Sequence, residues 1–154
     1  MITKRKPLTL PKLLAKAQCK YYIGIDPGVN TGFARWDKDD KIIVTCTTTT
    51  IHYAMLAIYK LHDEGISFFV RVEDARKRKW FGNAGRDQLQ GAGSIKRDCK
   101  IWEDFLTDLE APFEMVAPKN NKTKMDAKIF QKITGWKERT NEHARDAAML
   151  VYGL

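Results

Sequence analysis

The sequence YYIGIDPGVNTGFA, residues 21–34, decides how the rest of the chain is interpreted. It begins with an aromatic and β-branched apolar run, which is typical of a buried β-strand. The run ends at Asp26, and Pro27-Gly28 then predicts a tight turn. A second short strand follows at residues 32–36. The stretch therefore predicts a β-hairpin with Asp26 at the end of a central strand.

A carboxylate at the end of a buried strand needs a partner, because an unpaired buried charge is costly. The local sequence leaves two interpretations of Asp26 open. It binds a metal cation, or it caps the turn that follows, as Asp often does. Gly24 and Gly28 flank this carboxylate. Because glycine has no side chain, both would let a phosphate backbone approach closely.

The composition is that of an ordinary globular protein. The chain has 154 residues and 44% hydrophobic content, and no apolar run approaches the length of a transmembrane helix. The basic N-terminus lacks the apolar segment of a secretory signal. Three scattered cysteines (Cys19, Cys46 and Cys99) show no C-x-x-C spacing. This argues against a zinc site or a disulfide framework and predicts a reducing, cytoplasmic setting.

The net charge of +8 indicates a polyanionic partner, and we expect nucleic acid rather than a membrane surface. Residues 1–20 contain six Lys or Arg and no acidic residue. Pro7 and Pro11 oppose an early helix, whereas residues 12–18 allow a short one. We interpret residues 1–20 as a basic arm, which either orders on a phosphate backbone or is a solvated tail, and residues 21–154 as the folded domain.

The remaining elements alternate between strand and helix patterns. Further strands are predicted at residues 41–47, 66–73 and 113–116, and helices at residues 51–63, 87–109, 127–134 and 142–152. Three antiparallel strands, a helix and a fourth strand predict a mixed α/β fold. A right-handed crossover would place the fourth strand beside the first. Glu73 ends the fourth strand as Asp26 ends the first.

Two loops are rich in positive charge. The first, residues 74–86, contains Arg76, Lys77, Arg78, Lys79, Trp80 and Phe81. The second, residues 118–124, contains Lys119, Lys122 and Lys124. The first loop interleaves basic residues with aromatics, which favours nucleic-acid binding, and the second is basic, so these nine residues are the predicted nucleic-acid contacts. The alternative is that the two aromatics pack on the core.

Four candidate ligands come from separate elements. Asp26 and Glu73 end strands, and His143 and Asp146 lie three residues apart, on one face of the last predicted helix. Three carboxylates and an imidazole suit two divalent cations better than a charge-relay triad. The sequence has no serine or cysteine beside a histidine in a nucleophile motif, so covalent catalysis has little support.

The sequence resembles the RuvC family of Holliday-junction resolvases, which have the ribonuclease H-like fold. The resemblance extends over nearly all of residues 21–153. The motifs that carry it are Gly24-Ile25-Asp26-Pro27-Gly28 with Thr31-Gly32, Val72-Glu73, Gln90-Gly91-Ala92-Gly93, Val116-Ala117-Pro118-Lys119, Thr134-Gly135 and His143-Ala144-Arg145-Asp146-Ala147. The resemblance implies a five-stranded mixed sheet flanked by helices.

The resemblance also implies an activity. Asp26, Glu73, His143 and Asp146 would be the catalytic residues and would bind Mg²⁺ or Mn²⁺, two ions per active site. The enzyme would be a homodimer that makes paired nicks in a four-way junction. Its dimer interface would lie on the long helix and include Leu89, Ala92, Gly93 and Lys96. The resemblance does not specify whether a branch-migration protein is a partner.

Two features depart from the family pattern, namely the additional arm before residue 21 and the strongly basic first loop. Both favour a phage-encoded or divergent relative that acts on branched DNA more broadly. Two other classes remain as alternatives: an inactive branched-DNA-binding protein with the same fold, and an actin-like nucleotide-binding domain. The first is disfavoured because a protein that only binds DNA would gain from losing the carboxylates of Asp26, Glu73 and Asp146. The second is disfavoured because this sequence shows no duplicated second half of the kind that clamps a nucleotide in actin-like proteins.

Overall fold

The computed structural model describes residues 8–77, 86–118 and 125–154, with the backbone alone at residues 86–90 and 92. The strands are β1 (Tyr21–Asp26), β2 (Thr31–Asp37), β3 (Ile42–Thr49), β4 (Phe68–Glu73) and β5 (Phe113–Val116). The helices are α1 (Leu10–Gln18), α2 (Ile51–Asp63), α3 (Arg86–Asp108), α4 (Ala127–Thr134) and α5 (Glu142–Met149). In these ranges, none of the helices combines the length and apolar composition that crossing a bilayer requires.

All five strands join one sheet in the order β3-β2-β1-β4-β5. The pairs β1–β2 and β2–β3 are antiparallel, whereas β1–β4 and β4–β5 are parallel. Helix α2 makes the crossover that places β4 beside β1. The mixed α/β sheet with three antiparallel strands, predicted from the sequence, is confirmed.

The strand register brings two carboxylates to one edge of the sheet. Asp26 is opposite Gly32 in the hairpin, and Ile25 is opposite Val72 in the parallel pair. Because β1 and β4 are parallel, the next residue of each strand, Asp26 and Glu73, lies at the same edge.

Alternation along β1 separates two hydrophobic cores. Ile23 and Ile25 are fully buried in the core beneath α2 and α3. Tyr22 points to the opposite face, where it packs with Phe69 against a core that includes α4 and α5. By the same alternation Asp26 lies on the α5 face of the sheet.

Two glycines allow α5 to lie directly on the sheet. A Cβ atom at Gly24 would lie 2.0 Å from the carbonyl oxygen of Ala147, and one at Gly32 would lie 2.0 Å from that of His143. Any side chain would force the helix away from the strands. Our expectation that Gly24 leaves room for a phosphate backbone is therefore wrong, because α5 fills that space. Gly28 has no such neighbour, since its nearest contact is Asn30 in its own turn.

Part of the predicted basic arm is helical. Helix α1 begins at Leu10 rather than residue 12, and Pro11 lies in its first turn. Proline is tolerated there because the first amide groups of a helix have no partner within it. The C-terminal end of α1 is fixed to the domain, since Lys38 Nζ donates to Ala17 O at 2.6 Å.

Gly24→Ala is expected to lower Tm strongly. The added methyl group would meet a backbone oxygen, and overpacking of this kind costs about 1–3 kcal/mol or more. For a chain of this size each kcal/mol shifts Tm by about 2–4 °C. Gly28→Ala is the control, because a Cβ at Gly28 would lie 3.5 Å from its nearest neighbour, Asn30 O, which is an ordinary contact distance. Thermal unfolding followed by circular dichroism compares the two, and an unchanged Tm for Gly24→Ala would contradict the close packing of α5.

Candidate active site

The edge where β1 and β4 end carries the first two candidate ligands. Asp26 is the last residue of β1 and its side chain is only 14% exposed. Glu73 is the last residue of β4 and is half-buried. Alternation along β4 places Glu73 on the same face as Phe69, which is the face covered by α5. The two carboxylates therefore lie at the same end of the two strands and on the same face of the sheet.

The start of α5 is fixed over this edge by its N-cap. The Asn141 side chain accepts a hydrogen bond from Ala144 N at 3.1 Å, as an N-cap residue does. Thr48 of β3 donates a hydrogen bond to the same Asn141 oxygen. The first turn of α5 is therefore tied to the end of β3, next to the hairpin that carries Asp26.

His143 contacts Asp26 directly. Its Nδ1 lies 3.0 Å from Asp26 Oδ2, and the imidazole is 37% exposed. A neutral ring with the proton on Nδ1, or a charged one, would donate to the carboxylate. Of the two interpretations of Asp26, the simple turn cap is therefore insufficient, since its side chain reaches across to another element.

Asp146 lies one turn further along α5 and is half-buried. Its neighbour Ala147 is the residue whose carbonyl touches the Gly24 position. Asp26, Glu73, His143 and Asp146 thus occupy the positions predicted from the sequence, at one end of the α5 face. The structure brings His143 and Asp26 into contact. Among the described residues, no group of three or more His, Cys, Asp or Glu side chains is close enough to hold a metal ion.

Sequence reasoning missed Asp74, the residue after β4. Asp74 is buried, and Arg76 binds both of its oxygens, with Nε 2.7 Å from Oδ1 and Nη2 2.9 Å from Oδ2. Burial alone would raise the pKa of Asp74, but the hydrogen bonds and charge of Arg76 outweigh it, so this pKa is lowered. The available signal was the spacing Asp-x-Arg directly after a strand.

We predicted that Arg76 contacts DNA, but its guanidinium is bound to carboxylates of the chain itself. Its Nη1 also lies 2.9 Å from Glu103 Oε2 on α3, so the guanidinium joins two carboxylates. The hydrogen bond with Asp74 is the main reason that the pKa of Arg76 is raised. A guanidinium held in this way ties the end of β4 to α3 and is not available to a phosphate group without losing these contacts.

The other predicted DNA contacts are only partly described. Lys77 is exposed, and its Nζ donates to Met115 O at 2.8 Å. The remaining seven lie outside the described residues: Arg78, Lys79, Trp80, Phe81, Lys119, Lys122 and Lys124.

The first half of α3, where the dimer interface is predicted, is exposed at those positions whose side chains the structure describes. Gly93 and Lys96 are exposed, and a Cβ at Gly93 would meet nothing within 4 Å. Among the described side chains of α3, the first buried ones are Asp98 and Cys99. The side chains of Leu89 and Ala92 lie outside the described part of the chain. Packing within the described chain therefore does not explain the glycine at position 93.

The fold is similar to a solved structure of RuvC from T. thermophilus in complex with a Holliday junction substrate. The TM-score is 0.54 at 17% sequence identity, and the match covers 86% of this chain and 90% of that chain. This likeness confirms the ribonuclease H-like fold. No family profile matches the sequence, and no curated protein matches it significantly.

Asp74→Asn is expected to lower the free energy of unfolding at pH 7 by about 2 kcal/mol, because a charge-assisted bond is lost. Since the pKa of Asp74 is lowered in the folded protein, its stabilisation is complete above the unfolded value of 3.8 and is lost as the pH falls further. The difference between wild type and variant should therefore narrow below pH 3.8. Urea unfolding at several pH values measures it, with exposed Asp40→Asn as the control. If the difference in the free energy of unfolding stays constant with pH, the ionised Asp74 does not stabilise the fold through its ion pair with Arg76.

Proposed function

We propose that this protein is a metal-dependent endonuclease that resolves four-way DNA junctions and acts on related branched DNA. The observation that carries the proposal is the contact of His143 on α5 with Asp26 at the end of β1. This contact places a helix-borne imidazole on a strand-end carboxylate, on a ribonuclease H-like sheet. Glu73 and Asp146 supply further carboxylates on the same face.

The substrate is inferred from charge and from the structural neighbour. A net charge of +8 favours a polyanion. The RuvC structure that shares this fold was solved with a Holliday junction substrate. Two segments rich in Lys and Arg follow strands in the sequence, one after β4, which ends at Glu73, and one after β5. We assign phosphate contacts to Lys77, Arg78, Lys79, Lys119, Lys122 and Lys124, and base contacts to Trp80 or Phe81. Arg76 leaves this set, because Asp74 and Glu103 already bind it.

The donor types fit Mg²⁺ or Mn²⁺. Carboxylate oxygens are the ligands that both ions prefer, and a histidine nitrogen shifts the preference towards Mn²⁺. Asp26, Glu73 and Asp146 would hold the ions, with His143 as a further ligand. When bound, such ions lower the pKa of an attacking water and neutralise charge on the leaving oxygen.

The chain itself contributes orientation. The contact with His143 Nδ1 restricts the carboxylate of Asp26, and the N-cap at Asn141 restricts His143. Gly24 and Gly32 set the distance between α5 and the strands. These contacts restrict the orientations of Asp26 and His143, and preorganisation of this kind is a main contribution of a protein to catalysis.

Asp26→Asn is expected to abolish cleavage of a four-way junction in Mg²⁺ and to leave DNA binding unchanged or slightly tighter. Loss of a metal ligand removes several kcal/mol of transition-state stabilisation, which corresponds to a rate lower by about three orders of magnitude. Binding does not suffer, because one negative charge near the phosphates is removed.

The measurement is a nicking assay on four-way junction, fork, nicked and linear DNA, with binding followed by gel shift. Asp63→Asn is the control, since Asp63 is exposed at the far end of α2. Wild-type cleavage by Asp26→Asn, or full activity of the wild type in EDTA, would defeat the proposal. Junction binding with no cleavage by the wild type would favour the inactive DNA-binding alternative.

We further propose a homodimer through the first half of α3, since paired nicks need two equivalent sites. Gly93→Leu is expected to weaken the dimer at least tenfold by obstructing close approach, on the order of 1.4 kcal/mol or more. Gly93→Ala is the milder comparison. Sedimentation equilibrium measures both dissociation constants. A wild type that is monomeric at micromolar concentration and still makes paired nicks would overturn the assignment.

A further inference from the structure

Helix α1 contacts the domain through its lysines rather than its leucines. Leu10, Leu13 and Leu14 are about half exposed or more, and no residue of α1 is buried. In contrast, Lys12 Nζ lies 4.8 Å from the centroid of the Phe113 ring, and Lys16 Nζ lies 5.6 Å from that of Phe69. A helix held by hydrophobic burial would be rotated the other way. Polar contacts therefore fix α1 in place.

The C-terminal end of α1 is capped by groups from β1 and from the residue after β2. Tyr22 Oη donates to Lys16 O at 2.7 Å, and Lys38 Nζ donates to Ala17 O at 2.6 Å. These are carbonyls that the last turn of a helix leaves unpaired, and a cation at this end is also favoured by the helix dipole. The caps hold Lys16 next to β4 and β5.

Lys16 begins a series of charged contacts that ends on α5. Lys16 Nζ lies 2.9 Å from Glu114 Oε1 in β5, and Arg71 Nε in β4 lies 2.6 Å from the same oxygen. Arg71 Nη1 donates to Leu150 O, the carbonyl at the C-terminal end of α5. We call Lys16, Glu114 and Arg71 the charged relay. It joins α1 through two strands to the helix that carries two of the candidate site residues.

The contacts of the charged relay are strong enough to hold α1 and α5 in a fixed arrangement relative to the strands. The side chains of Lys16, Glu114 and Arg71 are 27%, 18% and 17% exposed. Burial alone would raise the pKa of Glu114, but the two cations outweigh it and lower this pKa, so the carboxylate stays ionised at neutral pH. Charge-assisted hydrogen bonds in partly buried surroundings are stronger and more directional than exposed ion pairs.

Arg71 also lies close to the site in the sheet. It precedes Glu73 by two residues in β4, on the same face. The glycine contacts determine how near α5 lies to the strands, and the N-cap determines where the helix begins. The bond from Arg71 adds a directional contact at the C-terminal end of α5, beside the buried residues of that end.

We propose that α1 supports the active site: Lys16, Glu114 and Arg71 are positioning residues that hold α5 in register with the strand-end carboxylates. The N-terminal segment is then required for the rate of cleavage rather than for affinity to DNA. This extends the proposed function, on which its cleavage readout rests, and differs from both earlier interpretations of the basic arm.

Lys16→Met tests the proposal, because methionine keeps most of the apolar stem and removes the ammonium group. Hydrogen exchange of the α5 amides should become about 10-fold faster, whereas exchange in α2, on the opposite face, should not change. The kcat for junction cleavage should fall about 10–100-fold, with an unchanged Kd and an unchanged dependence of Kd on salt. Lys16→Arg should restore both, since it keeps the cation.

Lys20→Met is the matched control, since it removes an exposed lysine of the same segment. It should leave α5 exchange and kcat unchanged. Glu114→Gln provides a second test of the relay and should also accelerate exchange in α5 selectively. If either relay variant does not accumulate as folded protein, the other makes the same comparison.

Three results would overturn the proposal. Exchange in α5 could be unchanged in both relay variants. It could rise equally in α2 and α5, in which case the relay only stabilises the whole domain. Lys16→Met and Lys20→Met could weaken DNA binding alike and flatten the salt dependence, in which case the segment is a DNA-binding arm. The exchange experiment needs no cleavage, so a wild type that cuts no DNA would refute the proposed function and leave this test intact.

Discussion

The whole site depends on the close approach of α5 to the central hairpin. Gly24 and Gly32 lie where the carbonyl oxygens of Ala147 and His143 reach the strands, and neither position has room for a Cβ atom. This close approach brings the imidazole of His143 within hydrogen-bonding distance of the carboxylate of Asp26. With a larger residue at either glycine, the helix would have to move away, and the contact that defines the site would be lost.

Around this contact, three carboxylates that are largely buried each have a nitrogen partner. Asp26 has His143, Asp74 has Arg76, and Glu114 accepts from two cations at once. Isolated carboxylates would be costly at these depths. The consequence is that the strand ends near the site are connected to α1, α3 and α5 by directional bonds, in addition to the hydrophobic cores on the two faces of the sheet.

Much of the fold followed from the sequence, because periodicity and turn residues are local signals. The hairpin, the strand end at Glu73 and the start of the last helix at Glu142 lie where they were predicted. The roles of individual cations could not be predicted in this way. Nothing in the sequence distinguishes a lysine that meets solvent from one that meets Glu114, 98 residues away. For the same reason Arg76 was assigned to DNA, although its partners are carboxylates of the chain itself.

The separation of Asp26 and His143 in sequence has a consequence for synthesis of the chain. The two residues are 117 positions apart, and the second lies on the last helix of the described structure. During translation β1 leaves the ribosome long before α5, so the hairpin waits for a partner that is made late. A nascent chain therefore has the carboxylate of β1 without the helix that orients it. Until α5 has emerged, the contact between His143 and Asp26 cannot form, so the site is assembled only after both segments are available.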